Sequence, residues 1–110
     1  MDTTILLKEA EQLKAAITAD RRTLHQNPEA GPDLPETAAY VKRRLEEMGY
    51  APQELAGGIT VDITGADTGR CILLRADMDA LRIREETGLE FRSKNGNMHA
   101  CGHDCHTAML

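Results

Sequence analysis

The sequence predicts an α/β fold in which two N-terminal helices are followed by strands of a sheet. Three observations carry that expectation. Apolar residues recur at helical spacing through residues 4–26 and again through residues 33–48. After Gly49 the period shortens, and residues 59–64 alternate apolar with polar. Residues 71–76 are nearly continuously apolar, the pattern of a strand buried on both faces.

In the first helix Leu6, Ala10, Leu13, Ile17 and Leu24 fall near one face, and Asp2 or Thr3 caps the start. Residues 27–35 hold three prolines and a glycine, so they form a connection. Asp33 then opens the second helix, with Glu36 three residues on as a capping box. Ala38, Val41, Leu45 and Met48 continue its apolar stripe, and Gly49 stops it. A short strand near residues 51–55 joins the sheet. The turn at residues 65–69 makes an antiparallel pair of 59–64 and 71–76. Beyond Ala76, Asp77, Asp79 and charged residues as far as Glu86 read as a strand end running into a long loop. Residues 107–110 open an apolar helix, and the sequence stops inside it, which predicts a piece of a longer chain.

Composition narrows the function classes. A chain of 110 residues is enough for one small domain, and 41% apolar with 28% charged residues reads as globular. Aromatics are 3% and Trp is absent, so the expected core is modest and mostly aliphatic. A net charge of −5 argues against nucleic acid as a partner, because phosphate binding needs a basic face. No secretory signal is visible at the N-terminus, and no apolar run approaches a membrane span. Three cysteines do not make a disulfide framework, so a cytoplasmic chain is expected, with Cys71 as a small core residue.

The chemistry concentrates in residues 99–106. His99, Cys101, His103, Asp104, Cys105 and His106 place six possible metal ligands in eight positions. Zinc fingers separate two ligand pairs by a dozen or so residues, whereas here every ligand is local. The set is therefore expected to take further ligands from elsewhere in the fold and to leave positions open, as catalysis requires. Asp77 and Asp79 follow the 71–76 strand and share a face in strand geometry. They can touch a metal or orient a metal-bound histidine, although taken alone the segment reads as a solvated turn. His25 lies at the end of the first helix, where a cation is favourable, and is read as structural.

Residues 75–81 (RADMDAL) followed by 98–110 (MHACGHDCHTAML) resemble the metal-dependent amidohydrolase and metallopeptidase family of hippurate hydrolases, N-acyl-amino-acid amidohydrolases and plant auxin-conjugate hydrolases. Residues 21–50 also look like that family's start, so the resemblance covers nearly the whole chain. It implies the start of a zinc-peptidase-like catalytic domain with a mixed sheet, of which residues 1–110 are the N-terminal part. In that family the catalytic domain is interrupted by a smaller lid or dimerisation domain. The resemblance further implies two divalent ions (Zn, Mn, Co or Ni), a small N-acyl amino acid or peptide as substrate, and a homo-oligomer for the full-length form. Cys101 and His103 match metal ligands. Asp79 matches the acid beside the metals and is the catalytic candidate. Asp77 stands where peptidase relatives carry a metal-binding histidine. Two positions depart from the pattern: Cys105 replaces the usual glycine and Arg82 the usual proline.

The implied reaction is metal-assisted hydrolysis of an amide, with a carboxylate moving the proton to the leaving amine. The family's general-base glutamate and its remaining ligands lie further along than Leu110. The expectation is therefore an N-terminal fragment that is inactive alone. The alternatives are a small non-enzymatic metal-binding protein using residues 101–106, or a degenerate fragment.

Overall fold

Helix α1 spans Thr3–Gln26. The Asp2 side chain caps it by accepting from the Thr4 N–H at 2.9 Å. The computed structural model describes residues 2–110.

Helix α2 spans Pro35–Glu47, two residues later than the expected start, and Asp33 does not cap it. The reason lies in the connection before it. Pro35 at the first helical position has no N–H, and the next donors need acceptors that Leu34 cannot supply. The Glu29 carboxylate supplies them from the loop. It accepts from Thr37 N and Thr37 Oγ1 at 2.6 Å each and from Glu36 N at 3.3 Å. The helix stops at Gly49 as expected, where Gly49 N donates to Glu46 O at 2.9 Å and Tyr50 N to Leu45 O at 3.0 Å. Asp20 joins the two helices, accepting from Tyr40 Oη at 2.6 Å and Arg44 Nε at 2.8 Å.

Strands β1 (Gln53–Leu55) and β2 (Gly58–Thr60) form a two-stranded antiparallel sheet, with Leu55 opposite Gly58 and Gln53 opposite Thr60. Ala56 and Gly57 make the turn, both at positive φ (50° and 82°), as a tight hairpin of this hand requires. This sheet corrects two expectations. The short strand near residues 51–55 pairs directly with the start of 59–64, so 59–64 does not pair with 71–76. The run 71–76 forms no strand, and Ile72, Leu73 and Leu74 are 85%, 89% and 71% exposed. Two-sided burial needs neighbouring strands and a covering layer, and none among the described residues reaches this run. Cys71 is accordingly exposed rather than in the core.

Past Ala76 the chain is held by isolated backbone bridges. Ala80 pairs in parallel with Ala30, and Leu81 pairs antiparallel with Met98. Ala80 N donates to Glu29 O at 2.7 Å, while Leu81 and Met98 exchange both bonds at 2.9 Å. The final helix, α3, spans His103–Met109 and packs on α1.

The buried interior is not the aliphatic core expected from composition. Its buried hydrophobic side chains are Leu24, Leu34 and Ala80. Around them are buried His25, Thr37, Glu85, Ser93, His99 and Asp104. Buried polar groups are usually hydrogen-bonded, and most of these are. No helix among the described residues is long and apolar enough to cross a membrane.

Candidate metal centre

Helix α3 begins at His103 because Gly102 turns the chain there. Gly102 has φ of +90°, a left-handed conformation that side chains rarely adopt. Its carbonyl then accepts from Cys105 N at 3.0 Å and His106 N at 3.2 Å. This turn swings His103 toward the segment that follows residues 71–76.

There His103 Nδ1 lies 2.9 Å from Asp79 O and 2.9 Å from Asp79 Oδ1. A backbone carbonyl only accepts, so Nδ1 carries the proton. In the neutral ring Nε2 then presents a lone pair. That is the form of a metal-binding imidazole oriented by a carboxylate. One turn further along α3, Thr107 Oγ1 donates to Asp77 O at 2.9 Å. His103 and Thr107 thus hold Asp79 and Asp77, so α3 runs antiparallel to the segment it grips. The spacings match: four residues of helix rise about 6 Å, and two residues of extended chain span about 6.6 Å.

The two aspartates do not act as a pair. The Asp77 carboxylate turns to Arg75 Nη2 at 2.6 Å, on the exposed side. Of the predicted site residues, Asp79 and His103 are brought together. Cys101 is exposed in the turn before α3, and Cys105 is half-buried against α1 beside Ile17, Arg21 and Met109. His106 is exposed, with its ring 5.8 Å from that of His103.

Asp104 takes a different role from the ligand role open to it in the sequence. It is fully buried, and its Oδ2 accepts from Arg21 Nε at 2.8 Å and bonds His25 Nδ1 at 2.7 Å. The other ring nitrogen of His25, Nε2, lies 2.8 Å from Glu85 Oε1. Glu85 also accepts from Thr87 Oγ1 and Ser93 N, each at 2.7 Å. Burial alone would raise the Glu85 carboxyl, but bonds from His25, Ser93 and Thr87 outweigh it and hold it down at about 2. Burial likewise opposes ionisation of Asp104, and the His25 bond with the Arg21 charge holds that carboxyl below its ordinary value. The His25 ring thus sits between two carboxylates, those of Asp104 and Glu85. Phe91 packs edge-on against His25, with Arg21 and Arg22 over its ring. Sequence reasoning read His25 as structural at a helix end and missed its partners, Asp104 and Glu85. Glu85 is hidden in a charged run, and nothing local connects residues 60 positions apart.

His99 is buried with neither ring nitrogen hydrogen-bonded. Burial holds its pKa below the ordinary histidine value, against the pull of Asp104.

The residues fit a divalent ion in part. The Asp79–His103 pair has the right chemistry and orientation for one ligand, and the exposed Cys101 thiol two residues away is a second donor. No group of three or more His, Cys, Asp or Glu side chains converges on a metal position among the described residues. An ion held by His103 and Cys101 therefore requires further ligands.

Comparison with known proteins follows the same lines. A family model described as peptidase family M20/M25/M40 matches residues 73–110. The chain is 48% identical over 101 residues to an N-acetyl-L-cysteine deacetylase of Bacillus subtilis (strain 168), covering 89% of this chain and 24% of that protein. It is 43% identical over 103 residues to an N-acyl-L-amino acid amidohydrolase of Geobacillus stearothermophilus, covering 91% of this chain and 28% of that protein. Its fold matches the crystal structure of a Bacillus subtilis protein described as a dinuclear metal binding peptidase from the M20 family. That match has a TM-score of 0.82 and 39% identity, over 89% of this chain and 28% of the other. The chain spans about a quarter of the length of these curated relatives.

Proposed function

This chain is homologous to an N-terminal part of peptidase family M20/M25/M40 members, and on that premise we propose that it supplies part of the metal site of an amidohydrolase acting on N-acyl amino acids or small peptides. The single observation that carries the reading is the bond from His103 Nδ1 to Asp79.

In this reading His103 and Cys101 are metal ligands, and Asp79 keeps the His103 proton on Nδ1 so that Nε2 stays available. A pair of divalent ions, drawn from Zn, Mn, Co and Ni, supplies Lewis-acid polarisation of the amide carbonyl and activates water. The substrate classes of the relatives, N-acetyl-L-cysteine and N-acyl-L-amino acids, support the choice of amide. The products are a carboxylic acid and a free amino acid. No residue of this chain is assigned the general base. Residues 1–110 are proposed to be inactive alone. A cytoplasmic location, and a homo-oligomer of the full-length form, belong to the same proposal. The three free cysteines support a reducing compartment.

The test is hydrolysis of N-acetyl amino acids by the full natural protein that carries this chain, loaded in turn with Zn, Mn, Co and Ni. The expected result is release of the amino acid, abolished by a chelator and by His103→Ala. Metal-loaded protein that cleaves neither N-acyl amino acids nor dipeptides overturns the enzymatic reading. Stoichiometric metal binding with that failure would instead identify a metal-binding protein without hydrolytic activity.

A further inference from the structure

We propose that His25 is a positioning residue for the metal centre, clamping α3 to α1 through Asp104 so that His103 is presented at a fixed angle. The inference rests on the metal-site reading above and extends it to a residue remote in sequence.

Three observations carry it. First, His25 is buried, 2% exposed, and both its ring nitrogens bond carboxylates, at 2.7 Å and 2.8 Å. Such a ring has no rotational freedom left. Second, one of those carboxylates belongs to Asp104, the residue directly after His103 in α3. Third, Arg21, one turn before His25 on α1, binds the same Asp104 oxygen at 2.8 Å. Two donors of α1 therefore converge on one atom of α3.

The consequence is geometric. Adjacent helical residues point about 100° apart around the axis. Asp104 anchored on α1 therefore turns His103 away from α1 and toward Asp79. Neither His25 nor Arg21 hydrogen-bonds His103, so their influence passes through the rotation of the helix.

The experiment is cobalt(II) titration of the full natural protein by competition with a chelator, together with the cobalt–thiolate charge-transfer band and the melting temperature. Three variants are compared with the parent: His25→Gln, Asp104→Asn and Asp20→Asn. Asp20 ties α1 to α2 and does not touch α3, so its variant loses stability without loosening the clamp. His25→Gln and Asp104→Asn are expected to weaken cobalt affinity by about tenfold or more and to shift the band. Asp20→Asn is expected to lower the melting temperature with cobalt affinity unchanged. If His25→Gln does not fold, Asp104→Asn decides alone. Parent-like cobalt affinity and band in the clamp variants overturn the proposal. So does an affinity loss in all three variants that follows their loss of stability. A parent protein that binds no cobalt overturns the metal-site reading itself, a result distinct from either of those.

Discussion

His103 Nδ1 bonds the carbonyl and the carboxylate of Asp79 together, each at 2.9 Å. One residue thereby sets both the tilt of the imidazole and the nitrogen that carries its proton. Asp79→Ala keeps the carbonyl acceptor but removes the carboxylate. Its metal affinity is expected to fall about 10- to 100-fold. Asp79→Asn retains an oxygen for the Nδ1 proton and should fall between the variant and the parent. Chelator competition on the full protein measures both, and parent-like affinity in Asp79→Ala would remove Asp79 from the metal site.

Glu85 predicts an acid-sensitive fold. Its carboxyl titrates at about 2 in the folded chain, below its ordinary value of 4.5. A depressed carboxyl stabilises the folded state fully above its ordinary pKa, and the contribution is lost as pH falls through the folded value. Stability should therefore drop between about pH 4.5 and 2, and Glu85→Gln should flatten that limb while lowering stability at neutral pH. Urea unfolding at a series of pH values reads both effects. Parallel curves for parent and variant would count against the assignment.

The cap on α2 is borrowed from a loop. Glu29→Ala leaves the N–H groups of Glu36 and Thr37 without their acceptor, and the expected loss is about 1–2 kcal/mol, at the upper end for a capping interaction because the acceptor is charged. Asp33→Ala should change stability by less than about 0.5 kcal/mol, since Asp33 holds no cap. Chemical denaturation of the pair of variants tests the contrast directly.

Ala56 sits at φ of 50° beside Gly57 in the hairpin turn. A left-handed alanine costs roughly 1–2 kcal/mol, and asparagine tolerates that conformation better. Ala56→Asn is expected to stabilise the protein by about 0.5–1 kcal/mol, read as a raised melting temperature. A fall in melting temperature would mean that the turn does not carry this strain.

Local patterns in the sequence anticipated local structure well. Asp2 as the first cap and Gly49 as the second stop depend on neighbours within a few residues, whereas the last helix, expected to open at Thr107, begins four residues earlier at His103. The candidate site residues stood out for a related reason. Cys101, His103 and Asp79 belong to short motifs of distinctive chemistry, and two of the three meet in space. Long-range choices were hidden. Nothing in residues 33–36 reveals that Glu29 reaches back to cap α2 in place of Asp33. The 71–76 run reads as a buried strand because its composition reports what it could bury, whereas burial itself depends on partners that composition does not name. The ion network of His25, Asp104 and Glu85 joins positions up to 79 residues apart, and only folding brings them together.

The two-point grip of α3 on residues 77–79 works like a detent. Because four residues of helix match two residues of the segment, a slide that frees His103 from Asp79 also frees Thr107 from Asp77. The next position with comparable spacing lies a full turn away, about 5.4 Å. Sliding α3 along its axis therefore loses both bonds together. An insertion or deletion between 77 and 79 or between 103 and 107 would leave at most one of the two bonds in register.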